Sequence, residues 1–224
     1  MCFAVNQGDK AKIEKLLKSL AKKESLNIGW EPNQWIQAHS RPLMPVLSET
    51  RSVELLQWGL IPSYTASETQ AKEISLMTLN ARSETMFTLP SFRESAPRQR
   101  CLIPINSFYE YQQVVGQKKK IPYEISMKDH SVYFLAGLWS LWQGKKTFTL
   151  CTMEANSLMA EIHNTKNRMP VIVTKDNIDL WLSPGTFEQI LPVLMPSDEL
   201  PLVATPIQKP VENPKTSQMD LFDY

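Results

Sequence analysis

Arg100 to Gln112 reads RCLIPINSFYEYQ, an apolar and aromatic run that forms strand more readily than helix. Five more β-rich runs surround it: LMPVLSE from Leu43, SVELLQW from Ser52, IPYEISMK from Ile121, SVYFLAGLW from Ser131 and TFTLCTME from Thr147. Turn-like or charged segments such as VGQKKK and WQGKKT separate them. The middle of the chain therefore reads as antiparallel sheet. Ahead of it, Asp9 to Lys23 places Ile13, Leu16, Leu17 and Leu20 at helical spacing with lysines opposite, which predicts an amphipathic helix. Behind it, helices are expected over 155–162, 176–182 and 186–191, with MPVIVT and PLVATPI as strands. Strands grouped together with helices to either side give an α+β class rather than alternating βαβ.

The 224 residues suit one domain, expected over 1–206. From 207 to 224 the chain turns polar and proline-bearing, and is read as a flexible tail. No run approaches the ~18 apolar residues of a membrane helix, and the polar stretch from Asn6 does not fit a signal peptide, so a soluble cytoplasmic monomer is expected. Cys2, Cys101 and Cys151, odd in number and widely spaced, fit neither a disulfide framework nor a zinc site, and no metal or cofactor is called for. A net charge of +1 means that any nucleic-acid binding comes from a local patch.

Four segments carry residues suited to chemistry. Cys2 reads either as a small buried hydrophobe at the start of a strand or, once Met1 is removed, as a thiol beside a free α-amine. Such a pair captures an aldehyde as an imine, and the thiol then closes a five-membered thiazolidine intramolecularly. An α-amine titrating near about 8, against about 10.4 for lysine, is partly neutral in the cell. In TLNARSET, Asn80, Arg82 and Glu84 share one face if the segment is extended; otherwise it is a polar loop. An asparagine amide suits an amine or thiol, and an arginine fork suits a phosphate. Glu110, between Tyr109 and Tyr111, is either an exposed strand residue or an inward carboxyl whose pKa desolvation raises toward general-acid work. His163, at a predicted helix end before RMPVIV, is structural unless it has functional company.

Together these segments resemble the SOS response-associated peptidase (SRAP) family: Cys2, NARSET at Asn80, RCLIPINSFYEY at Arg100, LAGLW at Leu135 and His163 before RMPVIV, with WGLIPSY at Trp58 as a sixth match. The resemblance spans roughly residues 1–206. It implies a mostly antiparallel, barrel-like bifurcated sheet flanked by helices, and a sensor that crosslinks itself through Cys2 to abasic sites in single-stranded DNA. Asn80 would position the amine, Glu110 would act as acid and base, and His163 would assist proton transfer. The peptidase of the family name would most simply remove Met1. Arg82, Arg41, Trp58, Tyr64 and Arg168 would contact DNA, Tyr64 as an aromatic wedge. Action would be at damaged or replicating DNA, close to the nucleoid. Where the family commonly has Gly-Arg after the cysteine, this chain has Phe3 and Ala4, and its HNTKNRMP segment is longer than the family's spacing. QMDLF, with Gln218, Met219, Leu221 and Phe222 as anchors, resembles the peptide that docks on the bacterial sliding clamp. Two other readings remain at this point: a cysteine hydrolase with Cys2, His163 and Asn80 in papain-like roles, and a nonenzymatic DNA or clamp adaptor.

Overall fold

The computed structural model describes residues 2–22 and 28–207. Beyond Ile207 the expected tail, with its QMDLF peptide, therefore lies outside the described residues. The strands are β1 (Ala4–Gln7), β2 (Asn33–Gln37), β3 (Leu43–Ser48), β4 (Val53–Trp58), β5 (Asn80–Arg82), β6 (Arg100–Ile105), β7 (Ser107–Gln112), β8 (Ile121–Met127), β9 (Tyr133–Trp142), β10 (Lys145–Glu154), β11 (Arg168–Pro170), β12 (Ile172–Val173) and β13 (Leu202–Pro206). Among them run helices α1 (Lys10–Leu20), α2 (Glu68–Met77), α3 (Ser157–Ile162), α4 (Ile178–Leu182) and α5 (Phe187–Ile190).

RCLIPINSFYEYQ is two strands rather than one, and the break at Asn106 is where the sheet forks. β6 lies in a closed ring of order β10-β4-β3-β6-β9 that returns to β10. β7 lies in a five-stranded antiparallel sheet of order β13-β8-β7-β1-β2. Asn106 is pinned at the fork: its N–H donates to the Asn6 carbonyl at 2.8 Å, and its Oδ1 accepts from the Asp9 N–H at 3.0 Å. The ring is mixed, because β10 pairs with β4 in parallel while the other ring pairings are antiparallel. β5 also joins β10 in parallel, so the expectation of plain antiparallel sheet holds for most strands but not around β10.

All six residues of the barrel strand β6 are buried, so this strand is covered on both faces. Packing leaves no room for a side chain at Gly137 of β9, where a Cβ would lie 2.5 Å from Ile103 Cδ1 and 2.8 Å from the Thr149 carbonyl. Outside the barrel, α1 buries Ile13 and Leu17, the stripe its spacing predicts, and Asp9 caps it by accepting from the Lys12 N–H. α2 and β2 are absent from the sequence reading. α2 buries only the small residues Ala71 and Ser75, so it carries no apolar stripe to detect. Gly59, at φ +110°, turns the chain tightly beneath α2: a Cβ there would meet the Ser75 carbonyl at 2.5 Å.

Candidate active site

The N-terminal strand brings the site together. β1 pairs with β7 so that Ala4 faces Tyr109 and Val5 faces Phe108, which sets the start of the chain beside Glu110. β5, zipped in parallel onto β10 with Asn80 opposite Leu150, presents Asn80 from the barrel side. Asn80 Nδ2 donates to the Cys2 carbonyl at 3.0 Å. The Oδ1 of Asn80 is buried with no hydrogen-bond partner among the described residues, leaving an acceptor beside the Cys2 backbone.

The Cys2 thiol is wholly buried and donates to the Ala4 carbonyl at 3.5 Å. Burial pushes its pKa up, and the Glu110 charge adds to the rise, so the thiol form is the resting one. Glu110 is 4 % exposed, and desolvation pushes its carboxyl up to about 7. The inward reading of this strand is therefore the one that the fold realises.

His163 caps the C-terminus of α3, its N–H donating to the Met159 carbonyl at 2.7 Å. Its Nδ1 lies 3.8 Å from Glu110 Oε1 and 2.8 Å from the Arg168 carbonyl. A carbonyl only accepts, so Nδ1 carries the proton and Nε2 is the basic nitrogen. Burial lowers the pKa of the ring, against the raising effect of the Arg168 carbonyl. The long HNTKNRMP segment closes as a turn with Asn167 at φ 49°, its N–H on the His163 carbonyl at 2.9 Å.

Three sequence expectations are corrected. TLNARSET is extended only from Asn80 to Arg82, and Glu84 lies in the turns that follow rather than on the strand. Arg168 is not presented to a phosphate: its Nη1 and Nη2 hold Glu84 at 2.5 and 3.0 Å, and Nη2 also donates to the Thr152 carbonyl at 2.7 Å. A fork paired with a carboxylate is already neutralised. Trp58 is fully buried, stacked 5.8 Å from Phe148 with its indole N–H on the Leu79 carbonyl at 2.8 Å, and so is a core residue without a surface for DNA. Arg82 and Tyr64 are exposed. Arg41 is half-buried at φ 48° and donates to Ser75 Oγ at 3.2 Å.

Sequence reasoning missed a cavity of about 300 Å³ that opens against Glu110 and His163. Phe3, Trp35, His39, Tyr109 and Tyr111 wall it, with Lys120 and Lys166 alongside. β2, which supplies Trp35, has no counterpart in the sequence reading, and Lys120 falls in the charged VGQKKK segment between strands.

A forked sheet with an acid, an imidazole and an amide gathered near Cys2 defines a class that comparison identifies. The family model of SOS response associated peptidase (SRAP) matches residues 1–214, and the chain belongs to that family. It is 33% identical over 195 residues to abasic site processing protein YoqW of Bacillus subtilis, covering 83% of this chain and 84% of that one. Abasic site processing protein HMCES of Gallus gallus is 29% identical over 159 residues, covering 60% of this chain and 46% of that protein. A crystal structure of a protein from Bacteroides thetaiotaomicron superposes with a TM-score of 0.83 at 33% identity, covering 92% of each chain.

Proposed function

We propose that the protein processes abasic sites in single-stranded DNA by forming a covalent thiazolidine through Cys2 after hydrolytic removal of Met1. The observation that carries this reading is the arrangement of Asn80 and Glu110 around Cys2, at the point where the chain begins its first strand. The α-amine of Cys2 adds to the aldehyde of the ring-opened sugar to give a carbinolamine. Glu110, whose carboxyl titrates near neutrality because it is buried, protonates the departing hydroxyl, and water leaves to form the imine. The sulfur then bonds to the imine carbon while the thiol proton passes to the nitrogen, closing the ring. Asn80 Oδ1, buried without a partner among the described residues, suits the N–H of the reacting amine. His163 relays protons to and from Glu110, including during reversal.

Capture by an amine alone leaves an imine, an electron sink that favours loss of the 3′ phosphate by β-elimination. Ring closure by sulfur removes that sink, so the strand stays intact. The burial of Cys2 also favours this order of events over a papain-like hydrolase, which needs a stabilised thiolate at rest. In the proposed reaction the thiol acts second, on an electrophile already attached to its own residue. The exposed Arg82 holds a flanking phosphate and Tyr64 stacks at the strand junction.

The test mixes the protein with single-stranded DNA carrying one abasic site and resolves the products under denaturing conditions. A shifted, denaturant-resistant band is expected with the wild type and no band with Cys2→Ala. Equal bands from both proteins reject the mechanism.

A further inference from the structure

The cavity beside Glu110 and His163 takes no part in the ring closure just described, yet its lining is specific. Phe3 and His39 form a tilted aromatic pair with centroids 5.0 Å apart. Trp35 and Tyr109 form a second pair at 4.2 Å. Both pairs belong to the wall, as do Lys120 from the end of the β7–β8 hairpin and Lys166 from the turn after His163. Its volume of about 300 Å³ stands at the small end for ligand sites, enough for one ring system and too little for a folded peptide.

We infer that this cavity seats the nucleobase of the nucleotide next to the abasic sugar, with Lys120 and Lys166 holding the adjoining phosphate. The inference rests on the proposed function and adds a subsite to it. Three features select a base over other occupants. The walls carry the aromatic side chains of Phe3, Trp35, Tyr109 and Tyr111, and aromatic rings stack on any base irrespective of sequence. The charged groups of the lining are one buried carboxyl, Glu110, against two exposed lysines, Lys120 and Lys166, a balance that favours an anionic chain; the remaining titratable wall groups are His39, His163, Tyr109 and Tyr111. The cavity also meets the site at Glu110 and His163, so an occupant joined to the reacting sugar by one phosphodiester fills it without a separate binding event. Both lysines bear on the same place, since their charges lower the pKa of His163 and that of Lys120 lowers the pKa of Glu110. Holding the neighbouring base adds stacking affinity that recruits the lesion to the site ahead of the imine step.

The experiment uses full-length protein and single-stranded oligonucleotides in which the base 5′ or 3′ to the abasic site is replaced by a stable baseless spacer. Crosslinking is followed at limiting and at saturating protein. Removing the seated base lowers the second-order rate about tenfold, while the saturated rate changes little. Removing the base on the other side has a smaller effect. Phe3→Ala and His39→Ala each slow capture of the complete substrate and flatten the dependence on the neighbouring base. His39 is exposed, so its replacement tests the pocket without disturbing the core. A wild-type rate indifferent to both neighbours overturns the inference while leaving the crosslinking reading intact. Variants that are slower but keep the full dependence on the neighbour overturn it as well. No crosslink on any substrate overturns the proposed function and the pocket together.

Discussion

The barrel wall and the N-terminal strand each bury cysteine completely, yet they make different things of it. Cys101 and Cys151 sit on β6 and β10 among apolar neighbours, Cys151 with its sulfur 4.0 Å from Met86 Sδ. Cys2 is equally buried, but a carboxyl near neutrality, an imidazole and an amide surround its start of the chain. Burial raises the pKa of all three thiols, so neither exposure nor acidity separates them. What separates them, among the described residues, is the buried carboxyl, imidazole and amide gathered near Cys2 where the ring meets the second sheet. A buried thiol is ordinary packing until a second element brings it an acid.

The sharpest way to break this comparison is to exchange the cysteines one at a time. Cys2→Ala removes crosslinking altogether, whereas Cys101→Ala and Cys151→Ala retain it and lose about 1 kcal/mol of stability each, read from denaturant unfolding. Loss of crosslinking in a folded Cys151→Ala would end the contrast.

Glu110→Gln comes next. Without a titratable acid, crosslinking slows by roughly 10²- to 10⁴-fold at neutral pH. The same change stabilises the fold at high pH, with the following sign. The folded carboxyl titrates near 7 and the unfolded one near about 4.3, so between these values the folded protein binds more protons and stability falls as pH rises. That contribution amounts to about 4 kcal/mol, fully developed above pH 7 and absent below about 4. His163, whose pKa is lowered, acts in the opposite direction through its own titration. Glu110→Gln is therefore expected to unfold at higher urea than the wild type at pH 8 and at the same urea at pH 4. A wild type no less stable than the variant at pH 8 would show that the carboxyl is not desolvated.

The smallest effect belongs to Arg82. Arg82→Ala should weaken capture modestly and reduce the dependence of log affinity on log salt by about 0.7, one phosphate contact on a single strand. An unchanged slope would remove Arg82 from the DNA-contacting surface.

Much of this was legible from residue patterns. The stripe of Ile13, Leu16 and Leu17 locates α1, and the six β-rich runs locate β3, β4 and β6 to β10 across both sheets, because burial on one or both faces imposes a period that survives in the sequence. The pattern was silent about α2, which buries only Ala71 and Ser75, and about β2. Trp58 was misjudged because an aromatic residue that serves a surface and one that fills a core look alike in sequence; its stacking on Phe148 and its bond to Leu79 decide the matter. Arg168 was misjudged because its partner, Glu84, is 84 residues distant.

The sequence by itself determined the class of fold, the presence of Cys2 at the start of a strand, and the kinds of side chain available for carbonyl chemistry, since composition, periodicity and motif order are local properties. Only the tertiary structure decided that Glu110 faces inward and is desolvated, that His163 protonates at Nδ1 against a carbonyl five residues on, and that Phe3, Trp35 and His39 enclose a cavity beside them. The reason is physical: a pKa, a tautomer and a pocket wall are set by what lies across space. Here that neighbourhood is created where RCLIPINSFYEYQ divides at Asn106 and sends its two halves into different sheets.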